Sequence, residues 1–358
     1  MSGIKPTLID MFSGCGGLSR GFMDAGYEVL LGVDNEEIAL KTFKENHGQA
    51  EVLKADLFDP ETINEMKRII GNKKVDLIVG GPPCQGFSLT GTRDADDKRN
   101  TLFRSMVEAA KVFEPQAFVL ENVPGLATLY KGKAKDEIIQ SFSNLGYTVN
   151  FEVLFAPDYG VPQIRKRIFF VGLKGSTKFA FPEPTHFPNE YVTCGDAISD
   201  LHDREDDLGQ EIDVYLNDPK TDYQRRMREK TTVLYNHVGT RHTDLVKEVI
   251  AQVPEGGNHK DLPPGVGDSR KFNEAWTRYH RSKPSKTIDT GHRNHFHYEY
   301  NRVPTVRENA RLQTFTDDFV VYGNKTQQYR QIGNAVPPLL GFHLANKIKT
   351  YLKVEQEV

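Results

Sequence analysis

One cysteine stands in a setting that suits nucleophilic chemistry. Cys84 lies in Gly80-Gly81-Pro82-Pro83-Cys84-Gln85-Gly86-Phe87-Ser88. Two prolines fix the backbone just before the thiol, and glycines on both sides let a planar substrate come close. A solitary cysteine is usually buried and inert, so its neighbours decide the reading. Glu121, in Leu120-Glu121-Asn122-Val123, ends a later apolar run and brings a carboxylate. Gln163-Ile-Arg165-Lys-Arg167 is expected to open a strand whose alternation points Gln163, Arg165 and Arg167 to one face. Alone, that pattern is a surface salt-bridge stripe. Beside a cysteine and a glutamate it reads as a polar vice for a flat heterocycle.

A second constellation lies at the start of the chain, in Asp10-Met-Phe-Ser-Gly-Cys-Gly-Gly-Leu18. Gly14, Gly16 and Gly17 let the backbone approach a ligand. Asp34 ends the next apolar run, where a carboxylate can take both ribose hydroxyls, and Asp56 ends the third, where it can meet an adenine ring. Each feature alone is weak; at consecutive strand ends they point to an adenosine-type cofactor. The NAD fingerprint spaces its last two glycines by two residues and sets a pyrophosphate on a helix N-terminus. Gly14-Cys15-Gly16-Gly17 lacks that spacing, so a cofactor without phosphate fits better.

These residues need a frame. Strands are expected at 7–12, 28–33, 51–54, 75–79 and 116–120, alternating with helices to about Gly26 and over 35–46, 60–70, 100–113 and 133–145. That alternation predicts an α/β fold with a doubly wound, mostly parallel, Rossmann-like sheet. It stops near Phe181. Residues 182–302 lack sustained periodicity and read as a smaller, irregular inserted domain. Helical patterning resumes near Thr305, and 337–352 closes the chain as a helix, so 1–181 and 303–358 form one continuous fold.

The 358 residues include 21 Phe, enough for a real core, and no run of 18 apolar residues occurs. A soluble, cytoplasmic protein is expected. Three cysteines are too few for a disulfide framework or a zinc site, and leave room for one active thiol. The net charge of −3 argues against a protein that coats nucleic acid indiscriminately. From 186 to 220 there are ten Asp/Glu against two Lys/Arg, but from 221 to 302 fifteen Lys/Arg against ten Asp/Glu. The basic stretch is either a localised polyanion-binding face or a solvated surface. Arg225, Arg226 and Arg228 are candidates for phosphate contact.

Taken in order, FSGCGGLS, GGPPCQGFS, ENV, QIRKR, TVRENARLQTF and QIGNAVPP resemble the blocks of the bacterial-type DNA (cytosine-5) methyltransferases, over nearly the whole chain. The resemblance implies the S-adenosylmethionine-dependent methyltransferase fold and that cofactor, with no metal. By it, Cys84 adds as thiolate to C6 of cytosine, which activates C5. A free thiol, with a pKa of about 8.5, is only a few per cent ionised near pH 7, so its loop must favour the anion. Glu121 would hold N3 and the exocyclic amine, and Arg165 would hold O2 beside Arg167. Phe12, Gly14, Asp34, Asp56, Leu102, Asn334 and Val336 would surround the cofactor, together with Gly16, Gly17, Leu18 and Pro83. Family members usually carry Glu at the position of Asp34. The stacked target base must flip out of the duplex, which gives 182–302 its role as a target-recognition domain.

Amino-group methyltransferases use an Asp/Asn-Pro-Pro-aromatic motif, which the cysteine here argues against. The common RNA cytosine-5 enzymes carry a second cysteine where this chain reads ENV. One branch of the family methylates tRNA, but the large second domain argues for double-stranded DNA. A catalytically dead DNA-binding protein would not keep every chemical position. A monomer is expected. A cognate restriction endonuclease would be a genetic partner, not a physical one, and the sequence decides neither its presence nor the DNA site.

Overall fold

The apolar runs of the N-terminal half become neighbouring strands. In the computed structural model the described residues are 5–83, 102–267, 276–291 and 294–353. They divide into two units, one drawn from Met1–Phe155, Lys166–Pro184 and Pro338–Val358, the other from Ala156–Arg165 and Thr185–Pro337.

The first unit holds a seven-stranded sheet, with β1 (Thr7–Met11), β2 (Glu28–Asp34), β3 (Glu51–Lys54), β4 (Leu77–Gly80), β5 (Ala117–Asn122), β6 (Tyr147–Phe155) and β7 (Lys166–Lys174). Their spatial order is β3-β2-β1-β4-β5-β7-β6; β1 to β5 run parallel, and β7 is antiparallel to both β5 and β6. Strands buried on both faces read as continuous apolar runs, as β1, β2 and β4 do. Helices α1 (Gly17–Asp24), α2 (Glu37–Asn46), α3 (Glu61–Ile70), α4 (Phe103–Phe113) and α5 (Lys133–Ser143) follow the strands. The core includes Ile9, Met11, Leu31, Val33, Ile78, Met106, Phe118 and Phe170.

The chain's closing helix, Pro338–Lys349, belongs to this unit and packs on α1. A Cβ at Gly21 would stand 2.2 Å from the Pro338 carbonyl oxygen, so only glycine allows that approach. The Tyr27 hydroxyl donates to the Ala345 carbonyl (3.0 Å) and Lys349 Nζ to the Ala25 carbonyl (3.1 Å).

The second unit contains α6 (Cys194–Ile198), α7 (Asp222–Arg228), α8 (Asp244–Gln252), α9 (Val306–Leu312) and α10 (Lys325–Asn334), with two short strand pairings and two isolated bridges among the described residues. Residues 303–337, grouped by periodicity with the N-terminal fold, make their contacts here, as do 156–165. Two apolar clusters support it, one around Ile198, Leu201, Met227 and Leu312, the other around Ile250, Val253, Trp276 and Phe296. Buried charge is its other framework. Arg302 makes a two-pronged bond to Glu308 (2.8 and 2.8 Å), and Arg311 bonds Asp200 and Asp317 (2.5 and 2.7 Å). Among the described residues, no helix is long and apolar enough to cross a membrane.

Candidate active site

In an open parallel sheet the ligand crevice opens at the carboxyl ends of the strands where the order reverses. Here that point lies between β1, which continues to β2 on one side, and β4, which leads to β5 on the other. The glycine turn leaves β1, and Gly81-Pro82-Pro83 leaves β4.

The turn is held in an uncommon backbone. Phe12 has φ 57°, a left-handed conformation that costs a non-glycine residue energy and recurs at functional sites. Gly16 (φ 89°) caps α1, and a Cβ there would stand 2.2 Å from the His47 ring. Among the described residues a Cβ at Gly14 would meet nothing within 4 Å, so they leave open space beside the turn there. Asp34, at the end of β2, clasps the turn: its Oδ2 accepts from Gly14 N (2.8 Å) and its Oδ1 from Glu36 N (2.9 Å). Burial raises the Asp34 pKa, opposed by these backbone N–H groups. Each oxygen keeps a further lone pair, so the carboxylate can still accept ligand hydroxyls. Asp56 follows β3 and is exposed, its Oδ1 accepting from Phe58 N (2.9 Å). Gly17 begins α1 and Leu18 turns its side chain into the core; Leu102 is buried at the N-cap of α4, and Pro83 is exposed.

On the β4–β5 side, Glu121 sits on β5, one residue beyond the strand expected from the sequence. Its Oε1 accepts from Arg167 Nε at 2.8 Å, with both side chains largely buried. Its Oε2 would stand 2.9 Å from a Cβ on Gly81, so the carboxylate presses on the backbone that leads to Cys84. Asn122, to which the sequence assigned no role, donates from Nδ2 to the Pro82 carbonyl (3.1 Å) and pins the same segment. Its place in the ENV triplet was the available signal. Cys84 itself lies outside the described residues. Burial pushes the Cys15 thiol up to about 12 and raises the Cys194 thiol as well, so neither is suited to act as a thiolate.

The expected strand from Gln163 is corrected: β7 begins at Lys166. Gln163 makes only an isolated bridge to Ser285, because the backbone turns: Ala156 N donates to the Arg165 carbonyl and Ile164 N to the Ser285 carbonyl (both 2.8 Å). Arg167 belongs to the first unit, Gln163 and Arg165 to the second. There Gln163 Nε2 donates to Gln313 Oε1 (2.6 Å), Gln313 Nε2 to the Ile332 carbonyl (2.8 Å), and Arg165 to the Gly333 carbonyl (3.0 Å). These bonds tie three sequence blocks together in the second unit. Asn334 is exposed at the end of α10, and Val336 is buried just after it.

Arg228 is also corrected as a phosphate candidate. It bonds Asp200 Oδ2 and the Asn217 carbonyl and lies 3.8 Å from the Tyr215 ring centroid, a structural commitment that the count of basic residues could not show. Arg225 pairs with Asp222, and Arg226 lies over the Tyr223 ring.

The family model for C-5 cytosine-specific DNA methylases matches residues 7–350. The chain belongs to that family. This DNA (cytosine-5) methyltransferase is 42% identical to the Type II methyltransferase M1.HphI of Haemophilus parahaemolyticus, over 96% of the chain and 86% of the relative. It is 39% identical to the Type II methyltransferase M.DdeI of Desulfomicrobium norvegicum, over 97% and 89%. Among solved structures, a DNA modification methyltransferase encoded within an Escherichia coli prophage is 28% identical, with a TM-score of 0.80, over 97% of this chain and 99% of that one. An Entamoeba histolytica methyltransferase, 16% identical with a TM-score of 0.61 over 98% and 99%, shares the fold.

Proposed function

We propose that this methyltransferase modifies C5 of cytosine within a specific sequence of double-stranded DNA, through a covalent bond from Cys84 to C6 of a base rotated out of the helix. The carrying observation is the Glu121 carboxylate, held by Arg167 and pressed against Gly81, three residues before the thiol. Addition to C6 leaves an electron pair that must be stabilised across C5, C4 and N3. Glu121 holds N3 and the exocyclic amine with a proton on or near N3, and Arg165 holds O2. Once C5 is substituted, its hydrogen leaves as a proton and the sulfur departs from C6.

S-adenosylmethionine, when bound, supplies the methyl group from its sulfonium. The space beside Gly14, the acceptor capacity of Asp34 and the reversal of strand order fit such a ligand. Phe12, Gly14, Gly16, Gly17, Leu18, Asp56, Pro83, Leu102, Asn334 and Val336 complete the assignment. Asp34→Ala removes both the ribose acceptors and the clasp on Gly14. It is expected to weaken S-adenosylmethionine binding by roughly 1.5–3 kcal/mol, the range for bonds to a charged group, read by calorimetry.

Residues 182–302 act as the target-recognition domain, reading base edges in the major groove. The enzyme is taken as a cytoplasmic monomer serving a restriction–modification system, in keeping with the Type II relatives. Bisulfite sequencing of DNA from a host expressing the protein tests the reaction and reveals the site. Exchanging 182–302 for the same region of a relative should move the methylated sequence to the relative's. A folded chimera that still methylates the original site defeats the assignment of recognition.

A further inference from the structure

Asn122 is the last residue of β5, 5% exposed, and its side-chain amide is committed at both ends. Its Nδ2 donates to the Pro82 carbonyl (3.1 Å), and its Oδ1 accepts from Val123 N (2.8 Å). The sheet around it shows what the first bond replaces. Both ladders of β4 stop at Gly80, paired with Met11 of β1 on one side and Leu120 of β5 on the other. Two residues on, Pro82 is buried and has no N–H with which to continue a ladder. β5 itself runs further, because Glu121 and Asn122 remain paired with Phe169 and Ile168 of β7. The Asn122 side chain thus reaches from a supported strand to a segment that has left the sheet.

What that bond fixes follows from covalent geometry. The Pro82 carbonyl lies in the Pro82–Pro83 peptide group, which is planar, so holding the oxygen orients the whole plane. The Pro83 ring then locks its own φ near about −65°. The one soft torsion left between the held plane and the Pro83–Cys84 peptide is ψ of Pro83. On the side away from Cys84, Glu121 Oε2 bears on Gly81, so neighbouring residues of β5 restrain the segment at successive positions. Aspartate could accept from Val123 N equally well. Only an amide can donate at its other end, so the bond to Pro82 is what calls for asparagine.

We propose that Asn122 is a positioning residue for the nucleophile, setting the plane from which the chain presents Cys84 to C6 of the base. It acts through the backbone and not on the base itself. Its loss leaves the buried Pro82 carbonyl without this donor and frees the Pro82–Pro83 plane to turn about ψ of Pro82. The thiol is then spread over several orientations, few of them in line with C6. The inference deepens the proposal above that Cys84 attacks the base, and rests on it.

The whole enzyme, with S-adenosylmethionine and a 5-fluorocytosine duplex both saturating, gives two readouts: the rate constant of adduct formation and the final yield. Asn122→Asp keeps the shape and the bond to Val123 N but removes the donor. Its rate constant should fall roughly a hundredfold, the cost of misplacing a reacting group by about 1 Å, at unchanged yield. Asn122→Ala, which brings no charge next to Glu121, should show a similar fall, and it answers the same question if the aspartate variant does not fold. Affinity for S-adenosylmethionine, read by calorimetry, should stay near the wild-type value in both. A merely structural role would lower the yield, as less enzyme folds, and leave the rate constant of the folded fraction alone. A wild-type rate constant in either folded variant, or a loss that saturating duplex restores, overturns the inference. Wild-type enzyme that forms no adduct at all overturns Cys84 as the nucleophile instead.

Discussion

Cys84→Ser enzyme is expected to bind S-adenosylmethionine as the wild type does and to transfer no measurable methyl group. A hydroxyl at this position is far less ionised than a thiol, and without an attack on C6 the C5 carbon stays unreactive. Loss of a covalent nucleophile lowers turnover by roughly 10^4-fold or more. The surroundings should survive the change, because the approach to residue 84 is fixed by other groups: Asn122 holds the Pro82 carbonyl, and Glu121 bears on Gly81. A duplex containing 5-fluorocytosine at the target should trap the wild type as an adduct that withstands denaturation, since fluorine cannot leave as a proton. An adduct of equal yield with Cys84→Ser would show that another residue attacks the base.

Glu308→Ala is expected to destabilise the protein by about 3–5 kcal/mol, the scale on which removing one partner of a buried ion pair acts. Glu308 takes both prongs of Arg302 and accepts from Thr305 N (2.7 Å), closing a capping box at the start of α9. Its loss would strand the Arg302 guanidinium, which is fully buried, with Asp203 as its remaining carboxylate partner. Glu308→Gln keeps an acceptor for the cap and should lie between the two. Chemical denaturation monitored by fluorescence measures both.

Histidines around that pair add a dependence on pH. Burial pushes His237 and His297 down to about 3. The His237 Nε2–H donates to the His202 carbonyl (2.8 Å), so its Nδ1 accepts from the Thr305 hydroxyl (3.0 Å). Below pH 6.5 the unfolded chain takes up protons that the folded rings refuse. Each ring should therefore remove up to about 1.4 kcal/mol of stability per pH unit as pH falls from 6.5 towards 3. Arg302 holds the Glu308 carboxyl well below the usual range, so its contribution is present above about pH 4.5 and is lost only at lower pH. A denaturation midpoint that stays level between pH 6.5 and 4.5 would contradict this account of the histidines.

Sequence reading succeeded where burial writes itself into composition. Leu8–Met11, Val29–Val33 and Leu77–Val79 are parallel strands covered on both faces, and they show as apolar runs. The glycine turn and Glu121 were legible because they follow such runs directly. β6 was missed because it is the outer strand, with Phe151 and Val153 exposed, so neither a clean alternation nor a continuous run marks it. The Gln163–Arg167 stretch misled for the opposite reason: its polar alternation is perfect, but the hydrogen bonds of Ile164 and Arg165 go to Ser285 and Ala156. Arg228, Arg302, Arg307 and Arg311 look like surface charge in one dimension. Only the fold brings Asp200, Glu308 and Asp317 to them.

The seating of the last helix against the first has a consequence for synthesis. A ribosome makes α1 more than 300 residues before it makes Pro338–Lys349, yet Gly21 of α1 packs directly on that later helix. A nascent or prematurely terminated chain has already produced Cys84 and Glu121 but leaves the helix that follows the cofactor turn without its cover. Residues 182–302, proposed above to choose the target, are also translated before Pro338–Lys349, so on that proposal the unit that packs on α1 is completed only after them. A chain that stops short of that helix is therefore expected to lack the cover on α1 whichever part reads the DNA.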